Sequence, residues 1–447
     1  MKLIIHRDTE KIGGSIVELE SSTGSRIIID IGLPLIDEDG SRFDFEDYKN
    51  LTVRELIETG ILPDIKGVYK NDGSRKTEGK SSSLIDGLLI SHAHQDHYGL
   101  LKYVNKDIKF YLTEPTKKII DLTYLFTSRE GEITNYEYIS SGSIFRVGDF
   151  KITPYLMDHS AFDAQSFLIE ADGKKLVYTG DFRDHGRKEN TLDYFINKLS
   201  DDIDGLIMEG TNLGNEEKEI KSEVEIEAEI VKHLQEPGLV LFTGSAQNID
   251  RIVSFYKAAR KTDRILLVDV YTANVLDLLK EYARTPYPSR DFKNLKVYYP
   301  YRLTKKIYDN NQDQLAYKFS TYKMDKNDIV DNHEKIIMLV RNSTVCDLKK
   351  IKDIEKNICQ NSTFIYSQWP GYLEDDGFKK LSNFISDNNI PFNIIHSSGH
   401  AAFSALEKLV NKLNPDKLFP IHTMHPEAYS NFKSNVVKLE NGEVHIL

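Results

Sequence analysis

Cysteine is almost absent from this chain of 447 residues, which contains only Cys346 and Cys359, in separate segments and without a CxxC pair. So few cysteines cannot form a disulfide framework, and we expect both thiols to be reduced and structural. Long apolar runs are absent too, since none reaches the roughly 20 residues of a membrane-spanning helix. The first residues, MKLIIHRDTEKIGG, lack the apolar region of a signal peptide. These absences predict a cytoplasmic protein without a membrane partner.

Acidic residues outnumber basic ones in this chain. Asp and Glu number 69 against 58 for Lys and Arg, which gives a formal net charge of −11. This balance argues against a protein that coats nucleic acid through a generally basic surface. It leaves a nuclease open, because a local basic channel and bound cations can coexist with an acidic exterior. The length allows two domains with sizeable cores, and no internal repeat is present.

The most informative stretch is LIDGLLISHAHQDHYGL, residues 84–100. Its apolar start, from Leu84 to Ile90, predicts a buried strand, and Tyr98 is predicted to open a helix. Between them, three histidines and one aspartate fall within six residues. A chance cluster in a polar loop is the weaker explanation, because histidine is usually rare. Imidazole and carboxylate groups are metal ligands, so we expect a metal site here.

The spacing of these four side chains suits two metal ions better than one. His92 and His94 leave the strand at alternate positions, which point the same way, so they can hold one cation from one side. Asp96 and His97 follow on the turn towards the helix and face a neighbouring point. Two cations close together are therefore expected.

Six further ionisable side chains stand at or near the ends of predicted strands: Asp30, His159, Asp181, Glu209, His400 and His422. A buried aspartate needs a partner. On the sequence alone, Asp30 either orients a ligand histidine or is a satisfied carboxylate in a turn.

Between residues 213 and 366 the pattern changes. Strand-like runs alternate with helical ones, which is typical of a mostly parallel sheet. An acidic helix is predicted from Asn215 onwards, with Ile220, Val224, Val231 and Leu234 on its apolar side. None of the expected metal ligands falls in this region. The pattern predicts an α/β unit inserted into the ligand-bearing part of the chain.

The motif HAHQDH, preceded by Asp30 and followed by His159 and Asp181, resembles the four motifs of the metallo-β-lactamase superfamily. The segments MEGTN, SSGHA and PIHT resemble the three further motifs of its β-CASP nucleases, among which ribonuclease J is the most similar. The resemblance implies an α/β protein, a metallo-β-lactamase αββα sandwich with an inserted α/β β-CASP domain. We expect the sandwich to comprise residues 1–212 and 367–447, and the insert residues 213–366.

The resemblance also divides seven side chains between two metal ions: His92, His94 and His159 on the first, Asp96, His97 and His422 on the second, and Asp181 on both. Zinc suits this imidazole-rich set, and manganese is the alternative. A superfamily aspartate at the position of Asp30 favours its role in orienting a ligand histidine.

Four residues are expected to take part in catalysis by the same resemblance: Asp96, Asp181, Glu209 and His400. Glu209 is expected beside the metals, where it holds a ligand or a transferred proton. His400 is expected to stabilise the phosphate oxygens. Ser397 and Ser398 are expected to contact a substrate phosphate.

The function implied is that of a metal-dependent ribonuclease. A hydroxide activated by two metals would hydrolyse RNA phosphodiester bonds, in exo- or endonucleolytic mode, and leave 5′-phosphate and 3′-hydroxyl ends. RNA-processing members typically carry histidine at the third further motif, here His422, whereas DNA-directed members usually carry valine. Single-stranded RNA is the expected substrate. The alternatives are a DNA nuclease or small-ester hydrolase of the same fold, or a non-catalytic RNA-binding relative. The oligomeric state stays open between a monomer and a homodimer.

Overall fold

The structure, a computed structural model, describes residues 1–37, 43–45, 48–70, 85–127, 131–199, 202–214 and 220–447. The strands within these ranges form three β-sheets. The first has seven strands, and the second and third have six each. None of the described helices has the length and apolarity needed to cross a bilayer.

The first sheet contains seven strands: β1 (Lys2–Arg7), β2 (Ile16–Glu20), β3 (Arg26–Ile29), β4 (Gly87–Leu89), β5 (Phe110–Leu112), β6 (Tyr136–Tyr138) and β19 (Val444–Ile446). Their order across the sheet is β19-β1-β2-β3-β4-β5-β6. The predicted strand from Leu84 to Ile90 corresponds to β4, which is shorter, and Leu84 lies outside the described residues. Because β3, β4 and β5 are parallel, their carboxyl ends share one edge of the sheet.

The second sheet contains six strands: β7 (Phe145–Val147), β8 (Phe150–Leu156), β9 (Gln165–Ala171), β10 (Lys174–Tyr178), β11 (Gly205–Glu209) and β18 (Leu418–Ile421). Their order is β18-β11-β10-β9-β8-β7. The pairings of β8, β10, β11 and β18 make these four strands run in one direction. Their carboxyl ends therefore meet at one edge, as in the first sheet.

The two sheets face each other across a core to which both contribute, for example Leu19 and Ile29 from the first sheet and Phe167 and Leu176 from the second. Helices cover the outer faces: α1 (Val53–Glu58), α2 (Gln95–Tyr98) and α3 (Glu114–Phe126) accompany the first sheet, and α4 (Thr191–Lys198) and α13 (Phe403–Leu413) the second. The predicted order of layers, helix, sheet, sheet and helix, is observed.

The third sheet belongs to the inserted region and is parallel throughout. Its strands, in the order β14-β13-β15-β12-β16-β17, are β12 (Val240–Thr243), β13 (Ile265–Asp269), β14 (Leu295–Tyr298), β15 (Ile336–Leu339), β16 (Thr363–Tyr366) and β17 (Phe392–Ile394). Eight helices accompany it: α5 (Glu223–Lys232), α6 (Ile249–Lys261), α7 (Val270–Leu279), α8 (Tyr301–Asp309), α9 (Asp313–Tyr317), α10 (Lys326–Asn332), α11 (Val345–Ile354) and α12 (Asp376–Asp387). Apolar cores lie on both faces, as a parallel sheet requires.

The division into domains stays a prediction, but the strand pairing bears on its second boundary. Strand β17 pairs with β16, so the third sheet extends past residue 366, where the predicted insert ends. We propose that the insert runs to Ile394, because everything up to that strand belongs to the third sheet and its helices.

The predicted apolar face of the acidic helix is wrong in part. Helix α5 begins at Glu223, and Val224 is 64% exposed. The buried positions are Glu223, Ile226, Glu227 and Ile230. The reason is electrostatic, because the Glu223 carboxylate pairs with a buried arginine at 3.0 Å and can therefore leave water.

Gly32 packs closely against the backbone of Asp96. A Cβ at Gly32 would lie 1.6 Å from the backbone oxygen of Asp96. The amides of Gly14 and Ser15 donate to the same oxygen at 3.2 and 3.0 Å. This backbone oxygen has no room to retreat without losing both hydrogen bonds.

We therefore expect Gly32→Ala to destabilise the protein by about 3 kcal/mol or more through overpacking. Gly244→Ala is the matched control, since Gly244, like Gly32, has no positive φ, but the nearest atom to its Cβ position is the Ser367 backbone oxygen at 3.8 Å. Its stability should change by less than about 1 kcal/mol, because alanine fits there without strain. Urea denaturation of both variants measures the difference, and equal losses would contradict the packing described here.

Candidate metal centre

The seven side chains predicted as metal ligands converge where strands of the two sandwich sheets end. They form two adjoining groups: His92, His94 and His159 in one, and Asp96, His97, Asp181 and His422 in the other. Within each group the ligand atoms lie within 4.8 Å of one another. The residues come from four chain segments that follow β4, β8, β10 and β18. The direction of these strands thus assembles a set of residues far apart in sequence.

Helix α2 places two of these side chains. It begins at Gln95, with His94 as its extended N-cap residue, so Asp96 and His97 lie on the helix itself. The predicted start at Tyr98 is wrong, because Tyr98 is the last residue of α2. The change of backbone conformation after His94 turns Asp96 and His97 towards the second group.

The first group presents imidazole lone pairs to one point. The Nδ1 of His159 donates to the backbone oxygen of Gly399 at 2.6 Å, so its Nε2 carries the lone pair and lies 3.1 Å from the Nδ1 of His94. The Nε2 of His92 is buried and has no hydrogen-bond partner among the described residues. Burial holds the pKa of His92 well below its usual range and lowers the pKa of His94 to about 4. Neutral imidazoles with unshared lone pairs suit a cation.

Asp181 lies between the two groups. Its Oδ2 is 3.1 Å from the Nε2 of His97, and 3.8 Å from the Nε2 atoms of both His422 and His92. One carboxylate oxygen thus faces a histidine of the first group and two of the second. Asp96 completes the second group, with its Oδ2 3.3 Å from the Nε2 of His422.

Asp30 fixes the orientation of His97. Its Oδ2 accepts hydrogen bonds from the Nδ1 of His97 at 2.8 Å, the hydroxyl of Tyr178 at 2.8 Å and the hydroxyl of Ser91 at 2.7 Å. The Oδ1 accepts from the Ser91 amide at 2.7 Å. Asp30 itself adopts φ 60°, an uncommon conformation for a residue other than glycine. These contacts favour the orienting role over that of a simple turn carboxylate.

The charges of the second group require a positive partner. Burial alone would raise the pKa of Asp181, but His422, His97 and His400 outweigh it and hold that pKa well below its usual range. Burial would likewise lower the pKa of His422, but Asp181 and nearby carboxylates raise it to about 10. Without a cation, protons on the histidines supply this charge. A divalent ion can supply it in their place, so the donor set fits a metal.

Glu209 and His400 lie beside these groups. The Oε1 of Glu209 accepts hydrogen bonds from the amides of Ala401 at 3.1 Å and Phe182 at 3.4 Å. Its Oε2 is 3.4 Å from the Nδ1 of His400. That Nδ1 is also 3.8 Å from the Oδ2 of Asp181. Glu209 therefore holds the segment that carries His400, and its catalytic role stays a prediction.

The two serines predicted to contact phosphate use their hydroxyls within the protein. The Ser397 hydroxyl donates to the backbone oxygen of Lys221. The Ser398 hydroxyl accepts from the His400 amide at 3.1 Å and from the Asn212 side-chain amide at 3.0 Å. Their phosphate role stays a prediction, and these contacts give it no support.

Two residues near the site have no counterpart in the sequence analysis. The backbone oxygen of Asp8 accepts from the His422 amide at 2.8 Å, and the hydroxyl of Thr211 lies 2.7 Å from the Nδ1 of the same histidine. Thr211 stands two positions after Glu209, inside a motif that was recognised, so it could have been found. Asp8 lies before any motif, and no pattern in the sequence marks it.

Comparisons with known proteins bear on the fold and on the relatives of this chain. Residues 64–243 match the family described as β-lactamase superfamily domain. The chain is 24% identical to a ribonuclease J of Mycoplasma genitalium over 381 residues, 81% of this chain and 60% of that protein. It is 25% identical to an RNase J-like protein of Methanocaldococcus jannaschii over 407 residues, 84% of this chain and 87% of the relative. The chain thus spans about three fifths of the length of the Mycoplasma enzyme.

The fold has a counterpart among solved structures. A protein of unknown function from Enterococcus faecalis superposes with a TM-score of 0.77 at 22% identity, over 100% of this chain and 99% of the other. Together with the domain match and the ribonuclease J relatives, this confirms the predicted fold. Residues 64–243 thus contain a β-lactamase superfamily domain, and most of the chain is similar to ribonuclease J proteins.

The two groups of ligand atoms lead to a stoichiometric prediction. Purified protein saturated with zinc or manganese should contain two metal ions per chain, one for each group. Asp181→Asn should weaken both sites together, because Oδ2 faces histidines of both groups. Asp193→Asn, at an exposed position on α4, removes the same charge away from the groups and should keep both ions.

Elemental analysis by mass spectrometry after dialysis provides the counts. One metal or fewer in the saturated protein would contradict the division into two sites, and two metals in Asp181→Asn would contradict the shared carboxylate.

Proposed function

We propose that this protein is a metal-dependent ribonuclease that hydrolyses phosphodiester bonds of single-stranded RNA and leaves 5′-phosphate and 3′-hydroxyl ends. The observation that carries the proposal is the pair of donor groups that meet at Asp181. The names of the relatives, ribonuclease J and RNase J-like protein, support RNA as the substrate.

The metals are proposed to be two zinc ions, with manganese as the alternative. His92, His94 and His159 would hold one ion, Asp96, His97 and His422 the other, and Asp181 both. Divalent ions bound there supply positive charge that polarises a phosphodiester and lowers the pKa of water.

His400 is proposed to donate a hydrogen bond to the reacting phosphate. Its Nδ1 is occupied inside the protein, 3.1 Å from the Thr211 hydroxyl and 3.4 Å from the Glu209 carboxylate. Its Nε2 is the nitrogen left for a substrate oxygen, and the side chain is 20% exposed. Glu209 and Thr211 thus hold the ring in place, so the donor is preorganised before the substrate arrives.

Burial of the ligands supports a single-stranded substrate. His92 and His97 are fully buried, and His159 and His422 are 1% exposed. Ligands so far from the surface are easier for a single flexible strand to reach than for a wide, stiff duplex. The histidine at position 422, where DNA-directed relatives usually have valine, adds a preference for RNA.

The cellular location and the assembly state also stay predictions. The two free cysteines fit a reducing compartment, which supports the cytoplasm. The choice between a monomer and a homodimer is to be decided from the mass of the purified protein in solution.

A direct comparison of substrates tests the proposal. RNA and DNA strands of one sequence, end-labelled and offered under identical conditions with saturating metal, should be cleaved at clearly different rates, with RNA favoured. Product mapping on 5′-monophosphate and 5′-triphosphate RNAs should find 5′-phosphate and 3′-hydroxyl ends. Equal cleavage of the two polymers would refute the substrate preference. Cleavage of neither, by protein that contains both metals, would refute the function.

The role of His400 can be tested separately. His400→Ala should keep the metal content and the melting temperature but lower single-turnover cleavage by about 10²–10³, the usual loss for one preorganised donor. A helix-capping role would instead lower stability by roughly 1 kcal/mol and leave turnover nearly intact. A stable, fully metallated and fully active variant would show that His400 has no part in the reaction.

A further inference from the structure

The segment of residues 395–401, here called the His400 loop, is fixed by side chains that bind its backbone oxygens. The Ile395 oxygen accepts from the Ser367 hydroxyl at 2.6 Å. The Ser398 oxygen accepts from a guanidinium nitrogen of Arg183 at 3.2 Å and from the Nε2 of His185 at 2.9 Å. These donors come from both the sandwich and the insert. The loop is therefore positioned by the way the two regions pack together.

Buried ion pairs hold Arg183 itself. Arg183 and Arg251 are both fully buried. Arg183 binds the carboxylate of Asp250 at 2.7 Å and lies 3.5 Å from that of Glu223, which also pairs with Arg251 at 3.0 Å. The two carboxylates belong to α6 and α5 of the insert. Buried charges tolerate little displacement from such partners, so the guanidinium is held in one place.

His185 is a side chain that the reaction proposed above does not use. Its imidazole is 10% exposed. The Nε2 binds the Ser398 oxygen, and the buried Nδ1 lies 3.7 Å from the Asp184 carboxylate, too far for a hydrogen bond. Such a group is costly to bury, and its contact with the His400 loop offers a reason for its presence.

The His400 loop in turn contacts the first metal group. The Gly399 oxygen accepts from the Nδ1 of His159 at 2.6 Å, and this bond decides which ring nitrogen faces His94. A Cβ at Gly399 would lie 2.7 Å from the hydroxyl of Ser160, so the loop packs closely at this point. A shift of the loop would therefore turn the His159 ring.

We propose that His185 and Arg183 are positioning residues that bind the Ser398 oxygen, set the His400 loop and, through Gly399, orient His159 towards its metal. The inference rests on the proposed metal site but not on the nature of the substrate. It also gives the insert a role in the metal site, because the carboxylates of Asp250 and Glu223 hold Arg183 in the position from which it binds the loop.

Two substitutions of His185 separate a hydrogen bond from packing. Glutamine at position 185 can place an amide nitrogen near the Nε2 position, whereas leucine fills similar space without a donor. His185→Leu should lower the zinc affinity of the site that contains His159 by about tenfold. Losing a group that orients a metal ligand typically lowers metal affinity by about 10- to 100-fold. His185→Gln should restore most of the affinity. His333→Leu is the matched control, because His333 also donates to a backbone oxygen, at 2.7 Å, but its partner is Val330 within the insert.

Zinc affinity measured by competition with a chromophoric chelator gives the main readout, and it needs no RNA. Single-turnover cleavage by the same variants is the second readout, expected to fall for His185→Leu and to recover for His185→Gln. If the wild type binds zinc but cleaves no RNA, the proposed function fails while the affinities still test the positioning role.

Unchanged zinc affinity in His185→Leu would overturn the proposal, as would equal losses in the leucine and glutamine variants, which would indicate packing alone. If His185→Leu does not fold, Arg183→Lys takes its place. Lysine keeps the charge but lacks the fork that reaches Asp250 and Ser398 together. A folded Arg183→Lys variant should show the same tenfold loss of zinc affinity, and wild-type affinity would contradict the proposal.

Discussion

The buried carboxylate of Asp181 is the constraint on which the rest of the site depends. It is almost removed from water, 3% exposed, and it faces histidines of both donor groups. A charge in that position is stable only with positive charge around it. The sandwich supplies histidines from different chain segments for this purpose, and hydrogen bonds orient two of the rings: Asp30 orients His97 and Gly399 orients His159.

Much of the site could be predicted from the sequence because its ligands stand at fixed offsets from strand ends. The motif HAHQDH assigned its four side chains to two neighbouring points, and the structure divides them in the same way. Asp30 was left open between two roles on the sequence, and its hydrogen bonds to His97, Tyr178 and Ser91 favour one of them. The alternation of apolar strand-like and helical runs predicted the α/β character of the insert, whereas the layers of the sandwich were predicted from the family resemblance.

The parts that could not be predicted depend on contacts between residues far apart in sequence. Val224 was placed on a buried face by its apolarity, but Glu223 is buried instead because Arg251 meets it from another helix. The hydroxyl of Ser397 donates to the backbone oxygen of Lys221, which is far away in sequence, so no local pattern predicts the contact. Asp8 likewise binds the His422 amide through its backbone oxygen. Every residue type has that oxygen, so the sequence does not mark the position.

In the proposed function, metal held by the seven ligand side chains allows the chain to hydrolyse RNA. The most direct test strips the metal with a chelator, restores zinc or manganese in steps, and follows single-turnover cleavage of a 5′-labelled single-stranded RNA beside the bound metal per chain. Our account predicts no cleavage without metal and a rate that rises as both sites fill. Undiminished cleavage by the stripped protein, or intact RNA after both sites are filled, would contradict it.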